Sequence, residues 1–322
     1  MRTRSHRRPV ALLTALLVAW VAGSVLGATQ PARHASAMPL LQIEPAHADY
    51  VPVLDGTQPI FVLVLGSDAR PDEVLTETRA DAIHIVAINP AKHRATILGI
   101  PRDSFVDIPG YGQDKINASL ALGGPDLVVQ TVEALTGLTM DYWAITGFNG
   151  FPKMIDQISG LVVDVPFALD DPYARASFAP GVQRLAGKDA LAFARDRHDM
   201  PACDFGRSEN QGRLMIAALA QFRKEFTKDP SRLLVWVGAF MRNVKTSVPF
   251  DQLMDLAFTG TAVNPKTVVN VVAPGGVGTA GGSSIVNLDR TALAAITSDL
   301  AADGVLKRGN IPPSPNASLL GG

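Results

Sequence analysis

The chain has a single cysteine, Cys203. An internal disulfide is therefore excluded, and one thiol without a second cysteine makes a poor zinc site. His198, Asp199 and Asp204 stand close to it in sequence, but a few polar residues in a loop explain that grouping better than a metal cluster does. Net charge is also lacking: 29 basic residues face 30 acidic ones, a balance of −1. With no basic field over the protein, nucleic acid is not an expected partner, and any anion site has to be local. Signatures of other chemistries fail on context. Gly66-Ser67-Asp68 lacks the G-x-S-x-G spacing of a hydrolase elbow. The run from Gly276 to Gly281 matches G-x-G-x-x-G, but a dinucleotide fingerprint opens a helix whose N-terminus holds the pyrophosphate. Here the next helix is expected only from about Asp289, so the run reads as a mobile loop. No internal repeat is present.

Arg2, Arg4, Arg7 and Arg8 precede an apolar run, Pro9–Ala28, that carries no charge. At ~1.5 Å per residue such a run covers ~30 Å, the core of a bilayer. Basic residues ahead of it keep residues 1–8 cytoplasmic and place everything after Ala28 outside. The rival is a cleaved signal peptide, with Ala35-Ser36-Ala37 as the cut. The run is longer than a usual signal core and the cut lies well past its end, which favours a retained single-pass anchor. Residues 29–57 then read as a linker, 58–309 as one α/β domain, and 310–322 as a disordered Pro/Ser/Gly tail.

Within the domain, Ile60–Leu65, Ala82–Ile88 and Ala95–Ile100 are apolar runs of the kind buried on both faces of a sheet. Asp68 follows the first, Arg79 and Asp81 open the second, and Arg102 and Asp103 follow the third. Charges beside buried strands are unfavourable unless paired, so core packing alone does not ask for them. Gly123-Gly124-Pro125 is expected to start a helix stopped by Gly137, and Asn149 to cap a short helix closed by Gly160. Leu161–Pro166 reads as a strand, Asp170–Gln183 as a loop, Gly187–Ala194 as a helix and Phe205–Phe226 as a longer one. Lys266–Ala273 reads as a further strand, and Asp289 as the cap of a last helix.

The densest charge lies in Arg195–Gln211, RDRHDMPACDFGRSENQ. Arg195 and Arg197 are two apart, so an extended segment points both the same way. Arg207 and Gln211 are four apart and share a helix face. Guanidinium forks so placed suit phosphate or carboxylate oxygens; the alternative is a solvated basic turn paired with Asp196, Asp199 and Asp204. With Asp68, Arg79, Asp81, Arg102 and Lys115 the set becomes two carboxylates and several cations. Those are the groups that hold a divalent ion and neutralise a pyrophosphate.

VLGSDAR, RADAI, IPRDS, KINAS followed by GG, ISGLVVDVP, LAGKDALAFARDRH and DFGRSENQ occur in that order between Phe61 and Arg213. Behind one anchor, this series resembles the LytR-CpsA-Psr family of bacterial envelope proteins. Ser159 departs from it, where the family usually has a second glycine ahead of Gly160. The resemblance implies an αβα domain with a mixed central sheet. It also implies a transferase that takes a glycan phosphate from a polyprenyl-pyrophosphate carrier to a peptidoglycan hydroxyl, thought to be C6 of N-acetylmuramic acid. The lipid would lie in a hydrophobic tunnel. By the same resemblance Asp68 and Asp81 look like ligands of Mg²⁺ (or Mn²⁺), either of them accepting the hydroxyl proton. Arg79, Arg102, Lys115, Arg195, Arg197, Arg207 and Gln211 look like pyrophosphate binders. Arg102 and Arg195 gain most as the anhydride breaks, and Asp103 and Asp196 brace neighbouring arginines. A lipid-pyrophosphate hydrolase and a non-catalytic envelope sensor are the rival readings. The donor glycan (teichoic acid, capsular polysaccharide or arabinogalactan) is not legible.

Overall fold

The structure, a computed structural model, describes residues 58–320 except Pro71, Asp199 and Pro201. The expected anchor at 9–28 and linker at 29–57 lie outside the described residues. Among those described, no helix is long and apolar enough to cross a membrane.

The chain opens with β1 (Ile60–Ser67), β2 (Ala80–Asn89) and β3 (Arg94–Gly99), then the hairpin β4 (Phe105–Ile108) and β5 (Gly112–Lys115). Helix α1 (Ala118–Thr136), β6 (Tyr142–Gly147) and α2 (Gly150–Gln157) follow. Next come β7 (Leu161–Val165), β8 (Leu169–Asp171), β9 (Ala176–Phe178), β10 (Gly181–Leu185), α3 (Gly187–Arg195) and α4 (Cys203–Lys228). The remainder is α5 (Arg232–Asn243), β11 (Lys245–Thr246), α6 (Phe250–Ala262), β12 (Val269–Val272), β13 (Gly275–Ala280), β14 (Ser283–Leu288), α7 (Arg290–Asp303) and the short α8 (Ala317–Leu320). Six strands form one mixed sheet in the order β11-β6-β1-β2-β3-β12. β1 runs antiparallel to β2 and parallel to β6.

The two faces of this sheet differ. Phe61, Leu63 and Leu65 of β1 and Ile83, Ile85 and Ala87 of β2 pack against Val128 and Val132 of α1 and Leu293, Ile296 and Leu300 of α7. Burying each of these side chains other than Ala87 contributes about 1.5–3 kcal/mol. The alternate residues Val62, Val64, Val86 and Ile88 are only half-buried. They face a cavity roofed by helices on the other side.

Most local expectations are met for the reasons given. Gly123 and Gly124 break α1 into two helical pieces, and Pro125 opens the second. Gly137 stops it at φ 70°. Asp289 accepts from the N–H groups of Thr291 and Ala292 at the start of α7. Asn149 occupies the N-cap position of α2, but its side chain does not cap. Ser159 sits in the left-handed region at φ 66°, directly before Gly160 at φ 81°, so a side chain is held where glycine is favoured. Ser159→Gly is expected to raise stability by about 1 kcal/mol, read as a higher midpoint in thermal unfolding.

Three expectations are corrected. The loop at 170–183 contains the β8–β9 hairpin and β10, which pairs with β7 outside the central sheet. The glycine-rich run at 276–281 is not a loose loop but one arm and the first turn residue of the β13–β14 hairpin, where small residues fit an exposed ribbon. The tail from 310, expected to be disordered, is held through 320. Ser314 Oγ donates to both carboxylate oxygens of the buried Glu209 on α4, at 2.7 and 2.8 Å. Buried Asn316 donates to Glu209 at 2.9 Å and to the Gly206 carbonyl at 3.3 Å. A buried carboxylate needs donors, and the tail supplies them.

Candidate active site

β1 ends in a pinned turn. The Asp68 N–H donates to the Arg79 carbonyl at 3.1 Å, and the Arg79 N–H donates to Asp68 Oδ1 at 2.9 Å. Ser67 Oγ lies 2.6 Å from Thr78 Oγ1 and accepts from the Ala69 N–H. Ser67 pairs with Ala80 and Gly66 with Ala82, so Asp81 has no partner in the ladder. It is the extra residue of a β-bulge, a device that re-aims a side chain next to a site. Its carboxylate lines the cavity and pairs with the Arg102 guanidinium.

Arg102 follows β3. Its Nε is buried without a hydrogen bond, 3.9 Å from Asp103, and Asp103 is in turn 3.4 Å from Lys115 Nζ. Asp204, in the first turn of α4, lies 3.3 Å from Arg197 and 3.1 Å from the buried Arg207. Burial alone would raise the Asp204 carboxyl. The Arg207 guanidinium, then those of Arg102 and Arg197 and a bond with Asp103, outweigh it and hold Asp204 below the usual carboxylate range. The two halves of the cluster therefore meet at Asp103 and Asp204.

The segment joining α3 to α4 is anchored by buried Asp171. It accepts from the backbone N–H groups of Arg197 (3.2 Å), His198 (3.1 Å), Tyr173 (2.8 Å) and Ala174 (3.2 Å), and lies 2.8 Å from His198 Nδ1. Burial opposes its charge, but His198 and the surrounding N–H groups hold the carboxyl well below its usual range. Arg195, the last residue of α3, lies over the Phe148 ring at 4.8 Å and has no carboxylate partner among the described residues. Gln211 donates to the Ala194 carbonyl at 3.0 Å, tying α4 to the end of α3.

Asp81, Arg195, Arg207 and Gln211 all line one cavity of about 400 Å³. Apart from Ser67 and Thr146 at the ends of β1 and β6, the other walls are apolar. Val62, Val64, Val86, Ile88 and Ala144 form the sheet side, Phe151, Met154, Leu191, Leu214 and Met215 the helix side, with Phe240, Leu253 and Leu256 beyond. A cavity of this lining has no use for water. With charge confined to one end, it suits an amphiphile with an anionic head.

Behind the cations, His84 is fully buried on β2, its Nε2 donating to the Ser208 carbonyl at 3.0 Å. Nδ1 has no hydrogen-bond partner among the described residues. Burial pushes the imidazole from 6.5 down to about 4, against the smaller raising effect of the Ser208 bond. The unfolded chain takes up a proton near pH 6.5 that the folded one refuses until about pH 4, so this group's stability is present above pH 6.5 and lost as pH falls to about 4. We expect His84→Asn to remove on the order of 3 kcal/mol of that acid-side loss. Denaturant unfolding at the two ends of this window measures it, and equal losses in both proteins would refute it.

Of the residues read from the sequence, Asp81, Arg102, Lys115, Arg197 and Arg207 share the ion-pair network, and Arg195 and Gln211 join Asp81 and Arg207 at the cavity mouth. Asp68 adjoins Arg79 by backbone bonds, and Arg79 is exposed. Gln211, expected as a pyrophosphate binder, spends one amide N–H on the Ala194 carbonyl and keeps the second for another partner. Arg195 and Arg197 do not lie on one extended segment, because Arg195 closes a helix. Asp171 and Asp204 were not expected as organisers. Asp204 has a local signal, three residues before Arg207, whereas Asp171 has none. Asp196 is buried. Among the described residues no group of three or more His, Cys, Asp or Glu side chains could hold a metal ion, so Cys203, His198 and Asp204 form no such site; Asp199 lies outside them.

The chain is similar to several known proteins. TagU of Bacillus mycoides, a polyisoprenyl-teichoic acid–peptidoglycan teichoic acid transferase, is 34% identical over 201 residues, covering 62% of this chain and 64% of TagU. The regulatory protein MsrR of Staphylococcus aureus is 34% identical over 220 residues, covering 67% of this chain and 64% of MsrR. The match thus spans a little under two-thirds of the length of these relatives. Among solved structures, Bacillus subtilis TagV superposes with a TM-score of 0.63 at 26% identity, covering 78% of this chain and 99% of TagV. TagT with bound octaprenyl pyrophosphate lipid gives 0.60 at 25% identity, covering 81% and 95%. The sequence profile of the LytR_cpsA_psr family matches residues 29–302, the greater part of the chain and all of the site just described, and the chain belongs to that family.

Proposed function

We propose that the protein is a phosphotransferase of the cell envelope. It takes a glycopolymer phosphate from a polyprenyl-pyrophosphate carrier and joins it to a peptidoglycan hydroxyl, C6 of N-acetylmuramic acid being the preferred acceptor. The observation that carries this reading is the joint placement of an apolar cavity and a cation cluster at its mouth. The prenyl chain lies along Val62, Val64 and Val86, and the pyrophosphate meets Arg195, Arg207 and Gln211 at the charged end. Arg102, Lys115, Arg197 and Arg79 surround it. TagT supports the reading through its bound octaprenyl pyrophosphate lipid, and TagU through its named activity. An N-terminal anchor spanning 9–28 would keep such an enzyme at the outer membrane surface, beside its lipid substrate.

The chemistry asks mainly for positioning and charge stabilisation. The acceptor oxygen attacks the glycan-bearing phosphorus, the bridging P–O bond breaks, and lipid phosphate leaves. Asp81 or Asp68 takes the hydroxyl proton. Arg102 and Arg195 stabilise charge on the departing phosphate. Asp68 and Asp81 each keep one carboxylate oxygen, Oδ2, without a hydrogen bond or ion pair among the described residues. These two carboxylates would be the residues to hold Mg²⁺, or Mn²⁺, since hard divalent ions take carboxylate oxygens. The ion would neutralise phosphate charge.

The name of MsrR favours a second reading, a regulator that binds lipid-linked glycan without turnover. Incubating the full chain with polyprenyl-pyrophosphate glycan, peptidoglycan and Mg²⁺ separates the two. Transfer yields glycan phosphate on the acceptor and free lipid phosphate. Tight binding of donor with no product, across several donors, would establish the regulator.

A further inference from the structure

A second hollow, of about 180 Å³, lies at the C-terminal ends of the parallel pair β1 and β6. Ala69, Arg70, Glu73 and Leu75 line it from the loop after β1, Gly147 and Asn149 from the end of β6. Gly147 also lines the main cavity, and so does Ser67. Asp68 is therefore the residue between a cavity-lining neighbour on one side and hollow-lining neighbours on the other.

Three polar groups in this hollow are uncommitted. Arg70 uses its backbone N–H, which donates to Glu73 Oε2 at 2.8 Å, and its guanidinium has no partner among the described residues. Glu73 keeps Oε1. The Asn149 amide, at the head of α2 without capping it, has no partner among the described residues either. Solvated side chains of this kind are ordinary on a convex surface. Around a concave one beside the proposed reacting carboxylate, they form a set of donors and acceptors facing a common space. The space holds roughly six waters, the scale of one sugar ring. Sugar hydroxyls donate to a carboxylate and accept from a guanidinium or an amide, and the C–H face of the ring has Leu75 to rest on.

We propose that this hollow is the subsite for one sugar ring of the acceptor, presenting its hydroxyl to the carboxylates of Asp68 and Asp81. The inference rests on the phosphotransferase reading. A sugar of the donor offers the same chemistry, but in-line displacement puts the nucleophile opposite the leaving lipid phosphate. That phosphate departs on the cavity side, past Arg195 and Arg207. The acceptor ring then belongs on the other side of Asp68.

The test uses the full chain with Arg70→Ala and Asn149→Ala, both exposed positions. Acceptor KM should rise about tenfold or more for Arg70→Ala, the loss of a charge-assisted bond, with donor KM unmoved. A raised donor KM instead would give the hollow to the donor glycan, and no change in either would remove the subsite. Saturation-transfer NMR with undecorated peptidoglycan disaccharide, in the absence of donor, gives an independent readout. Contact that depends on Arg70 supports the subsite even if no transfer is ever seen, in which case only the phosphotransferase reading fails. Transfer by the wild type together with disaccharide contact indifferent to Arg70 overturns the subsite alone.

Discussion

Asp81→Asn lowers the turnover of glycan transfer by about 10²–10³-fold, within the range for loss of a general base, with the fold and donor binding retained. Asparagine keeps the shape of the side chain in the bulge and removes only its charge and basicity. Arg102 does not become an isolated buried cation, because Asp103 and Asp204 remain among its charge partners. Turnover with donor saturating is the quantity to follow, alongside donor affinity. Full turnover in Asp81→Asn would leave the chemistry to Asp68. A loss of affinity without a loss of turnover would make Asp81 a binding group only.

Ala144→Phe is expected to weaken donors with long prenyl chains and to spare those with short ones. Ala144 lies on β6 in the middle of the sheet side of the cavity, paired in register with Val64. A phenyl ring there takes space from the chain inside a volume of about 400 Å³. Displacing one five-carbon prenyl unit into water forfeits about 3–4 kcal/mol at ~0.8 kcal/mol per carbon, or about 10²–10³ in KM. The comparison is KM for an octaprenyl or longer carrier against a one- or two-unit analogue. Equal effects on both would mean the ring perturbs the head-group site rather than the cavity. No effect on either would mean that the lipid lies elsewhere.

The fold and the site are legible in the sequence wherever a local rule decides the outcome. Ile60–Leu65, Ala82–Ile88 and Ala95–Ile100 read as sheet strands because apolar runs have few other stable fates, and the charges at their ends read as a site because buried strands do not otherwise tolerate them. Arg207 and Gln211 share a face because α-helices repeat that way. The cavity was not legible from periodicity. Val62 and Val64 look the same whether they touch packed atoms or an open channel, and only the resemblance to the family suggested a tunnel. The bulge at Asp81 depends on how β1 and β2 pair, which neither strand encodes alone. Asp171 reaches Arg197 across 26 residues, and Glu209 is met by Ser314 from 105 residues away. Such contacts exist only once the chain is folded. The tail departs from expectation for the same reason, since its composition is that of a free end and its partner is a buried carboxylate.

The central claim is that a sugar hydroxyl, and not water, attacks the glycan-bearing phosphorus. The most direct measurement runs the reaction in ¹⁸O-labelled water with donor, peptidoglycan and Mg²⁺, and weighs the glycan phosphate by mass spectrometry. The account predicts glycan phosphate attached to the acceptor and free of ¹⁸O. Unattached glycan phosphate carrying one ¹⁸O would contradict it and make the protein a hydrolase.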